Sequence, residues 1–397
     1  GKPAFIPAAS VELLRSAEDV ESNTLIGTHH TDAVWHLDTV FPDAKLLAAP
    51  AAPGAGNPLV RFPLVVEAGL GSFCWPLSES AFQASVAHQR CLVVHALPSR
   101  LSQLKAAFHN FDTEAMVGAA SRVVVWMKAA DGTMQYLDAE PGVAMACYRA
   151  GHCLYFNPSV DVQAQFVGPL LDDLGMAWGV PPPTDLCDVE VFAVQGTHDT
   201  PWHFDAQEAF TLQLEGTKRW TVARGATPHP VTNLHPRSSN AAGVETDRLA
   251  HAACGLPDLP TEPCGETHSF VLRPGSAMYL PAGWWHKVSA LDADAGSLSM
   301  NFSVSGERWS AWFAKRLAPM LWATPGWRRP VAAPSVEAAR ATLDGLLGGL
   351  RGVLSKVSAA DFLPAGSGDS EVVHVADGGA GRALPPDATL TRSPAWV

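Results

Sequence analysis

Residues 198–220 read His198-Asp-Thr-Pro-Trp-His-Phe-Asp-Ala-Gln-Glu-Ala-Phe-Thr-Leu-Gln-Leu-Glu-Gly-Thr-Lys-Arg-Trp220. His203 and Asp205 are two apart, and on a strand positions i and i+2 point to the same side. Both side chains can then project into one interior and share one ion. A third donor is offered by His286 in Tyr279-Leu-Pro-Ala-Gly-Trp-Trp-His286, where a Pro-x-Gly turn leads into an apolar strand. Two imidazoles and one carboxylate on one face of a metal leave coordination positions open, which is the arrangement of non-haem Fe(II) oxygenases. Each piece alone carries little, since a lone H-x-D arises by chance and a lone histidine after Trp-Trp is an ordinary core residue. The weight lies in their combination within a strand-rich region.

Around this segment the chain is mostly β. Short runs rich in Val, Phe, Trp and Leu occur at 188–195, 208–215, 218–224, 268–273, 276–280, 285–291 and 297–304. They are separated by Gly, Pro, Asp or Asn, and no long helices intervene, which predicts an antiparallel sandwich or barrel. Residues 225–267 interrupt the run with polar, Pro-rich sequence and read as a surface insertion near the barrel mouth. Upstream, strands are expected at 122–127, 134–137 and 153–156, and helices at 82–88, 101–108, 142–149 and 160–176, the last stopped by Pro181-Pro182-Pro183. Residues 1–70 read as irregular, and the trio His29, His30 and His36 as an exposed polar stretch. Beyond 305, Trp309, Trp312, Phe313, Arg316, Leu317, Met320 and Leu321 recur at helical spacing. A second helix is expected over 335–357, and 361–397 read as an extended tail. The divisions are thus 1–70, an oxygenase domain over 71–305, a helical region over 306–360, and 361–397.

Lys218 begins the strand after the H-x-D strand. A cation inside an apolar barrel is costly unless paired, and the distal carboxylate of 2-oxoglutarate is a natural partner. The plainer alternative is a surface lysine in an E-G-T-K hairpin, with Arg219 facing the other way.

The stretch TPWHFDAQEAFTLQLEGTKRW, followed by PGSAMYLPAGWWHKVSA and SLSMNFSV, resembles the JmjC oxygenases. Within that family it looks most like the asparaginyl hydroxylase known as factor inhibiting hypoxia-inducible factor, and like the ribosomal oxygenases. The resemblance covers roughly residues 70–305. It implies a mainly β fold with helices: a double-stranded β-helix (jelly-roll or cupin) barrel with a helical N-terminal cover and a C-terminal helical region. It also implies Fe(II), 2-oxoglutarate and O2 as cofactor and co-substrates. His203, Asp205 and His286 would bind the metal, Lys218 and Thr200 the 5-carboxylate of 2-oxoglutarate, and Asn301 would sit beside the metal and the 1-carboxylate. Gln207 matches a substrate-contacting position. Trp202, flanking the first ligand, is a substrate-wall residue by position, while core packing is expected of most of Trp202, Trp284 and Trp285. The chain departs from the asparaginyl hydroxylase at Ala209 and Ser303, where that enzyme has Asn and Trp, so the substrate residue does not carry over. The tyrosine that completes the co-substrate pocket has three candidates, Tyr136, Tyr148 and Tyr155.

The implied reaction hydroxylates a side chain in a peptide or protein, at the β-carbon of His, Asn, Asp or Arg, with a ribosomally made peptide as one substrate class. The rivals are N-methyl-lysine demethylation and a non-catalytic cupin that only binds a ligand. A formal net charge of −12 argues against nucleic acid as the main partner. No apolar run reaches membrane-spanning length and no apolar leader follows Gly1, so the expected location is cytoplasmic, without a membrane partner. Seven cysteines with no C-x-x-C spacing fit a reducing compartment. His229, His235, His251, Cys254 and Cys264 match no closed zinc pattern. The Trp-rich C-terminal helix suggests a homodimer through the C-terminal helices, with packing against its own barrel as the alternative.

Overall fold

A computed structural model describes the backbone of residues 25–30 and 34–40 and, apart from short stretches of which 175–185 is the longest, residues 69–362. The expected 361–397 tail beyond Phe362, the expected 82–88 helix beyond Gln83, Pro181–Pro183 and the side chains of His29, His30 and His36 lie outside the described residues. Two compact units divide at Gly306.

The first unit is built on strands β1 (Leu25–His30), β2 (Val34–Val40), β3 (Cys91–His95), β4 (Arg122–Lys128), β5 (Met134–Asp138), β6 (Cys153–Asn157) and β7 (Cys187–Val194). There follow β8 (Asp199–His203), β9 (Glu208–Glu215), β10 (Lys218–Ala223), β11 (His268–Leu272), β12 (Ala277–Leu280), β13 (Trp285–Ala290) and β14 (Ser297–Val304). Ten strands form one sheet in the order β1-β2-β3-β12-β9-β14-β7-β6-β4-β5, and four form another in the order β11-β10-β13-β8. All neighbours are antiparallel except β2 and β3. Helices α1 (Leu70–Cys74), α2 (Ser102–Ala107), α3 (Thr113–Gly118), α4 (Pro141–Arg149), α5 (Val160–Asp173) and α6 (Ala241–Ala253) complete the unit.

Period-2 alternation gives the large sheet two different faces. On β14, Leu298, Met300, Phe302 and Val304 are buried in the main core with Val189, Val191 and Ala193 of β7. That core is closed by Phe73 of α1, Leu104 of α2, Met116 of α3, Ala144 of α4 and Phe166 and Leu170 of α5. Each fully buried Phe or Leu contributes about 1.5–3 kcal/mol, so this side holds the sheet against its helices. The intervening residues Ser299, Asn301, Ser303, Glu190 and Phe192 take the opposite face. There a second apolar cluster unites the two sheets: Cys91, Val93, Ala209, Met278 and Leu280 from the large one, and Trp220, Val222, Phe270 and Leu272 from the small one.

The chain changes sheet at tight turns. Between β9 and β10, Gly216 has φ +63°, and a Cβ there would lie 2.1 Å from the Gly296 carbonyl oxygen. Glu215-Gly216-Thr217 is therefore a crossing between sheets rather than the connection of a surface hairpin.

Two expectations are corrected. Residues 1–70 are not wholly irregular, because Leu25–His30 and Val34–Val40 pair as an antiparallel hairpin. Nor is 225–267 simply a surface insertion. It contains helix α6, capped by Asn240 Oδ1 accepting from the Gly243 N–H, and its first part is built into the fold. Phe204 and Leu234 exchange backbone hydrogen bonds of 3.2 and 2.9 Å, Asn233 Oδ1 accepts from the Ala206 N–H, and Met134 N–H donates to the Arg237 carbonyl. Proline-rich polar composition hid a helix whose inward anchor, His251, is fully buried and bonded to the Thr232 carbonyl.

The second unit comprises α7 (Trp309–Trp322) and α8 (Val336–Leu354). Trp312 Nε1 donates to the Phe362 carbonyl and Phe313 stacks on Phe362 at 4.9 Å. Among the described residues no helix is long and apolar enough to cross a membrane.

Candidate metal centre

The H-x-D strand is the short β8, which carries the first ligand, and because β9 intervenes Lys218 begins the second strand after it rather than the next. On β8, His203 is the ladder partner of His286 on β13. The rings lie 4.0 Å apart between centroids. Asp205 falls just past the end of β8, in the loop that Leu234 and Asn233 pin from outside. One ligand atom from each of His203, Asp205 and His286 falls within 4.8 Å of the others, and these three form the one such group of His, Cys, Asp or Glu among the described residues. The histidine and cysteine candidates of the insertion form no second group there.

Backbone geometry fixes which nitrogen each ring presents. His203 Nδ1 lies 2.8 Å from the Pro201 carbonyl and His286 Nδ1 lies 3.1 Å from the Trp284 carbonyl. A carbonyl can only accept, so both Nδ1 atoms carry the proton and both Nε2 lone pairs are free to ligate. Trp220 stacks on His286 at 5.6 Å and His235 on His203 at 4.7 Å. Burial lowers the pKa of both imidazoles, most strongly for His203, where the neighbouring His286 and His235 add to it. Burial pushes Asp205 upward, but its hydrogen bond with His235 and the fields of His286 and His203 outweigh this and hold the carboxyl well below its usual range. Neutral imidazoles beside an ionised carboxylate are the ligand forms a divalent cation requires. The donor set thus fits Fe(II).

Lys218 is buried. Its Nζ donates to Ser299 Oγ at 2.7 Å and to the Phe192 carbonyl at 3.4 Å. No carboxylate pairs with it among the described residues, and burial pulls its pKa down to about 8. Arg219 faces outward. A desolvated, unpaired ammonium on the interior face suits one carboxylate of a small di-acid such as 2-oxoglutarate.

The remaining expected residues divide. Thr200 Oγ1 accepts from the Val288 N–H at 3.0 Å and bridges the irregular step between β8 and β13, so its hydroxyl is engaged by the backbone. Asn301 accepts from Thr211 and donates to Glu190 Oε2 at 2.9 Å. Gln207 sits in the bend between Asp205 and β9. Trp284 and Trp285 are buried packing residues, whereas Trp202 lines a shallow cleft beside His203 with Trp126, Tyr136, Thr200, His235 and Arg237. Of the three tyrosines, Tyr136 lines that cleft, and Tyr155 reaches the interior network through Glu190 Oε1 at 3.0 Å.

Sequence reasoning passed over Glu190 and set His235 aside as a zinc candidate. Glu190 had one signal, an acid alternating with valines in Asp188-Val-Glu-Val-Phe192, which reads as solvent-facing on a one-sided sheet. The second sheet turns that face inward.

Comparison with known proteins finds similarity over the same region. Residues 184–311 match the JmjC domain family. Ribosomal oxygenase 1 of Gallus gallus is 33% identical over 126 residues, which are 31% of this chain and 18% of that protein. Ribosomal oxygenase 2 of Mus musculus is 31% identical over 110 residues, 28% of this chain and 19% of its own. The bifunctional lysine-specific demethylase and histidyl-hydroxylase NO66 of Drosophila persimilis is 29% identical over 119 residues, 30% of this chain and 14% of its own. The chain therefore spans under a fifth of the length of these relatives. Among solved structures, the ribosomal oxygenase YcfD from Escherichia coli aligns over 71% of this chain and 67% of its own at 15% identity, with a TM-score of 0.40.

Proposed function

From a JmjC domain at residues 184–311, we propose that this chain is an Fe(II)- and 2-oxoglutarate-dependent hydroxylase of a side chain in a peptide or protein. The supporting observation is the convergence of three ligand atoms within 4.8 Å, both Nε2 atoms free, beside a buried lysine with no carboxylate. His203, Asp205 and His286 hold the metal in this reading, and Lys218 holds the 5-carboxylate of 2-oxoglutarate, with Thr200 closing the strand irregularity next to it. Asn301 reaches the 1-carboxylate end. The two facing sheets are read as a double-stranded β-helix, in which successive strands from β7 onward divide between the layers. Bound Fe(II) and 2-oxoglutarate supply O2 activation, placing one oxygen atom on a C–H bond of the substrate and the other in succinate as CO2 leaves.

The protein's own work is orientation and exclusion of water. The Pro201 and Trp284 carbonyls fix the two ring tautomers, and Trp220 and His235 restrict ring rotation. The cleft beside His203 admits the substrate past Trp202, with Gln207 at the ligand loop in contact with the peptide. The site is built for a peptide, with His, Asn, Asp or Arg as the modified residue. The exposed apolar residues of α7 and α8, among them Trp309, Phe313, Leu343 and Leu347, are read as a homodimer surface.

The test is turnover with Fe(II), 2-oxoglutarate and ascorbate on a peptide library, reading succinate and product mass together. Hydroxylation gives stoichiometric succinate and a peptide heavier by one oxygen. Formaldehyde with loss of a methyl group would instead mark a demethylase, the second activity carried in the name of the Drosophila relative. No succinate under any condition would leave a binding module.

A further inference from the structure

Resting on the reading above, the interior holds a second charge that metal and co-substrate do not use. Glu190 stands on the inward face of β7, opposite Asn301 in the ladder with β14. Its carboxylate accepts from Asn301 Nδ2 at 2.9 Å, Ser303 Oγ at 2.7 Å and Tyr155 Oη at 3.0 Å. All three donors are neutral, and no Lys, Arg or His pairs with it among the described residues. The next inward-facing residue on the same strand is Phe192, whose carbonyl and ring both touch Lys218. Inward-facing neighbours on a strand are about 7 Å apart. Glu190 and the residue that touches Lys218 thus stand one such step apart on β7, and each charge is held by neutral groups and not by the other. The interior is arranged to take an anion at one point and a cation at the next.

A chain of packed aromatic rings links the cleft beside His203 to Glu190. Tyr136 and Trp126 line the cleft beside His203. Trp126 stacks on Tyr155 at 5.9 Å and 9°, and Phe192 stands edge-on to both at 5.4 Å. Aromatic faces leading to a carboxylate attract cations, through the ring quadrupole and then the charge. The negative charge of Asp205 adds to the cost of an ionised Glu190. A bound 2-oxoglutarate brings two more negative charges into this space, which makes an uncompensated Glu190 costlier still. Burial already raises its pKa to about 7.

We propose that Glu190, at the inner end of the Tyr136–Trp126–Tyr155 aromatic path, binds the cationic head of the substrate side chain and so selects a guanidinium, imidazolium or ammonium over a neutral amide or acid. It is a specificity-determining residue.

Small probes test this without knowledge of the substrate. Propylguanidinium, 4-methylimidazolium, propylammonium and the neutral isostere propylurea are titrated into the full chain with 2-oxoglutarate, and binding is read by saturation-transfer NMR, which needs no metal. At least one cation should bind tenfold or more tighter than the urea. Glu190→Gln should reduce it to the urea level, while Glu190→Asp keeps part of the preference. Mn(II) then locates the probe by broadening its signals in wild type. Unchanged Mn(II) affinity in Glu190→Gln, by water-proton relaxation, shows an intact fold. Equal binding of cations and urea, or a cation preference surviving in Glu190→Gln, overturns the proposal. Mn(II) binding insensitive to His203→Ala would sink the oxygenase reading instead and leave the saturation-transfer result standing.

Discussion

At the scale of single residues, Lys218 is where function and stability oppose one another. Its pKa falls from 10.5 to about 8 on burial, a cost of about 3 kcal/mol at neutral pH by the usual conversion. The sign follows from the direction: a depressed lysine destabilises the fold below its folded pKa, and the cost is relieved as pH rises from about 8 towards the unfolded value. Lys218→Met should therefore raise the stability of the ligand-free protein by about 1–3 kcal/mol in urea titrations at pH 7. The same variant should lose 2-oxoglutarate binding by about 100-fold, the scale of a charge-assisted hydrogen bond. In wild type, 2-oxoglutarate affinity should weaken as pH passes about 8, measured by calorimetry. His203→Ala, Asp205→Ala or His286→Ala should each abolish turnover and reduce Mn(II) affinity at least tenfold. The convergence of these three side chains was legible because an H-x-D spacing and a Pro-x-Gly turn into a strand are local signals. Glu190 was not, because its facing depends on a second sheet contributed by strands remote in the chain.

At the scale of elements, the turn before β13 fixes where His286 arrives. Gly283 has φ +81°, and a Cβ would stand 2.5 Å from the Thr227 carbonyl oxygen. Gly283→Ala should cost about 2–4 kcal/mol in denaturant unfolding, combining left-handed strain with a backbone clash. It should weaken Mn(II) binding in step. Thr200→Val keeps the shape but strips the partner from the Val288 N–H, a loss of about 1–3 kcal/mol; thermal melts should record it. Most strands were readable from β-branched and aromatic runs bounded by Gly and Pro. The failures were strands β1 and β2, the bounds of β8, and helix α6. Strand β8 is only Asp199–His203 and ends before Asp205, which a two-residue spacing alone does not tell. Helix α6 has one buried residue in its weakly apolar sequence, His251, which reads as polar.

At the scale of the whole molecule, residues of α7 and α8 such as Trp309, Trp322 and Val336 remain well exposed. If a second copy covers them, analytical ultracentrifugation should give a dimer, and Leu343→Asp with Leu347→Asp should give a monomer with unchanged far-ultraviolet circular dichroism. A monomer from the unaltered chain would refute that reading. The break in sequence character after residue 305 was visible from periodicity alone; how the helical residues are used was not, since an amphipathic stripe does not say what it meets.

The three ligands also differ in mechanical support. The two imidazoles ride on a strand pair within a four-stranded sheet, but the carboxylate sits on a short arc leaning against Asn233 and Leu234. Warming or mild denaturant should free that arc first, since loops with few buried contacts open at lower cost than sheets. Loss of the ion is then expected to run ahead of melting: on a thermal ramp, released metal captured by a chromogenic chelator should appear before the β-sheet signal decays.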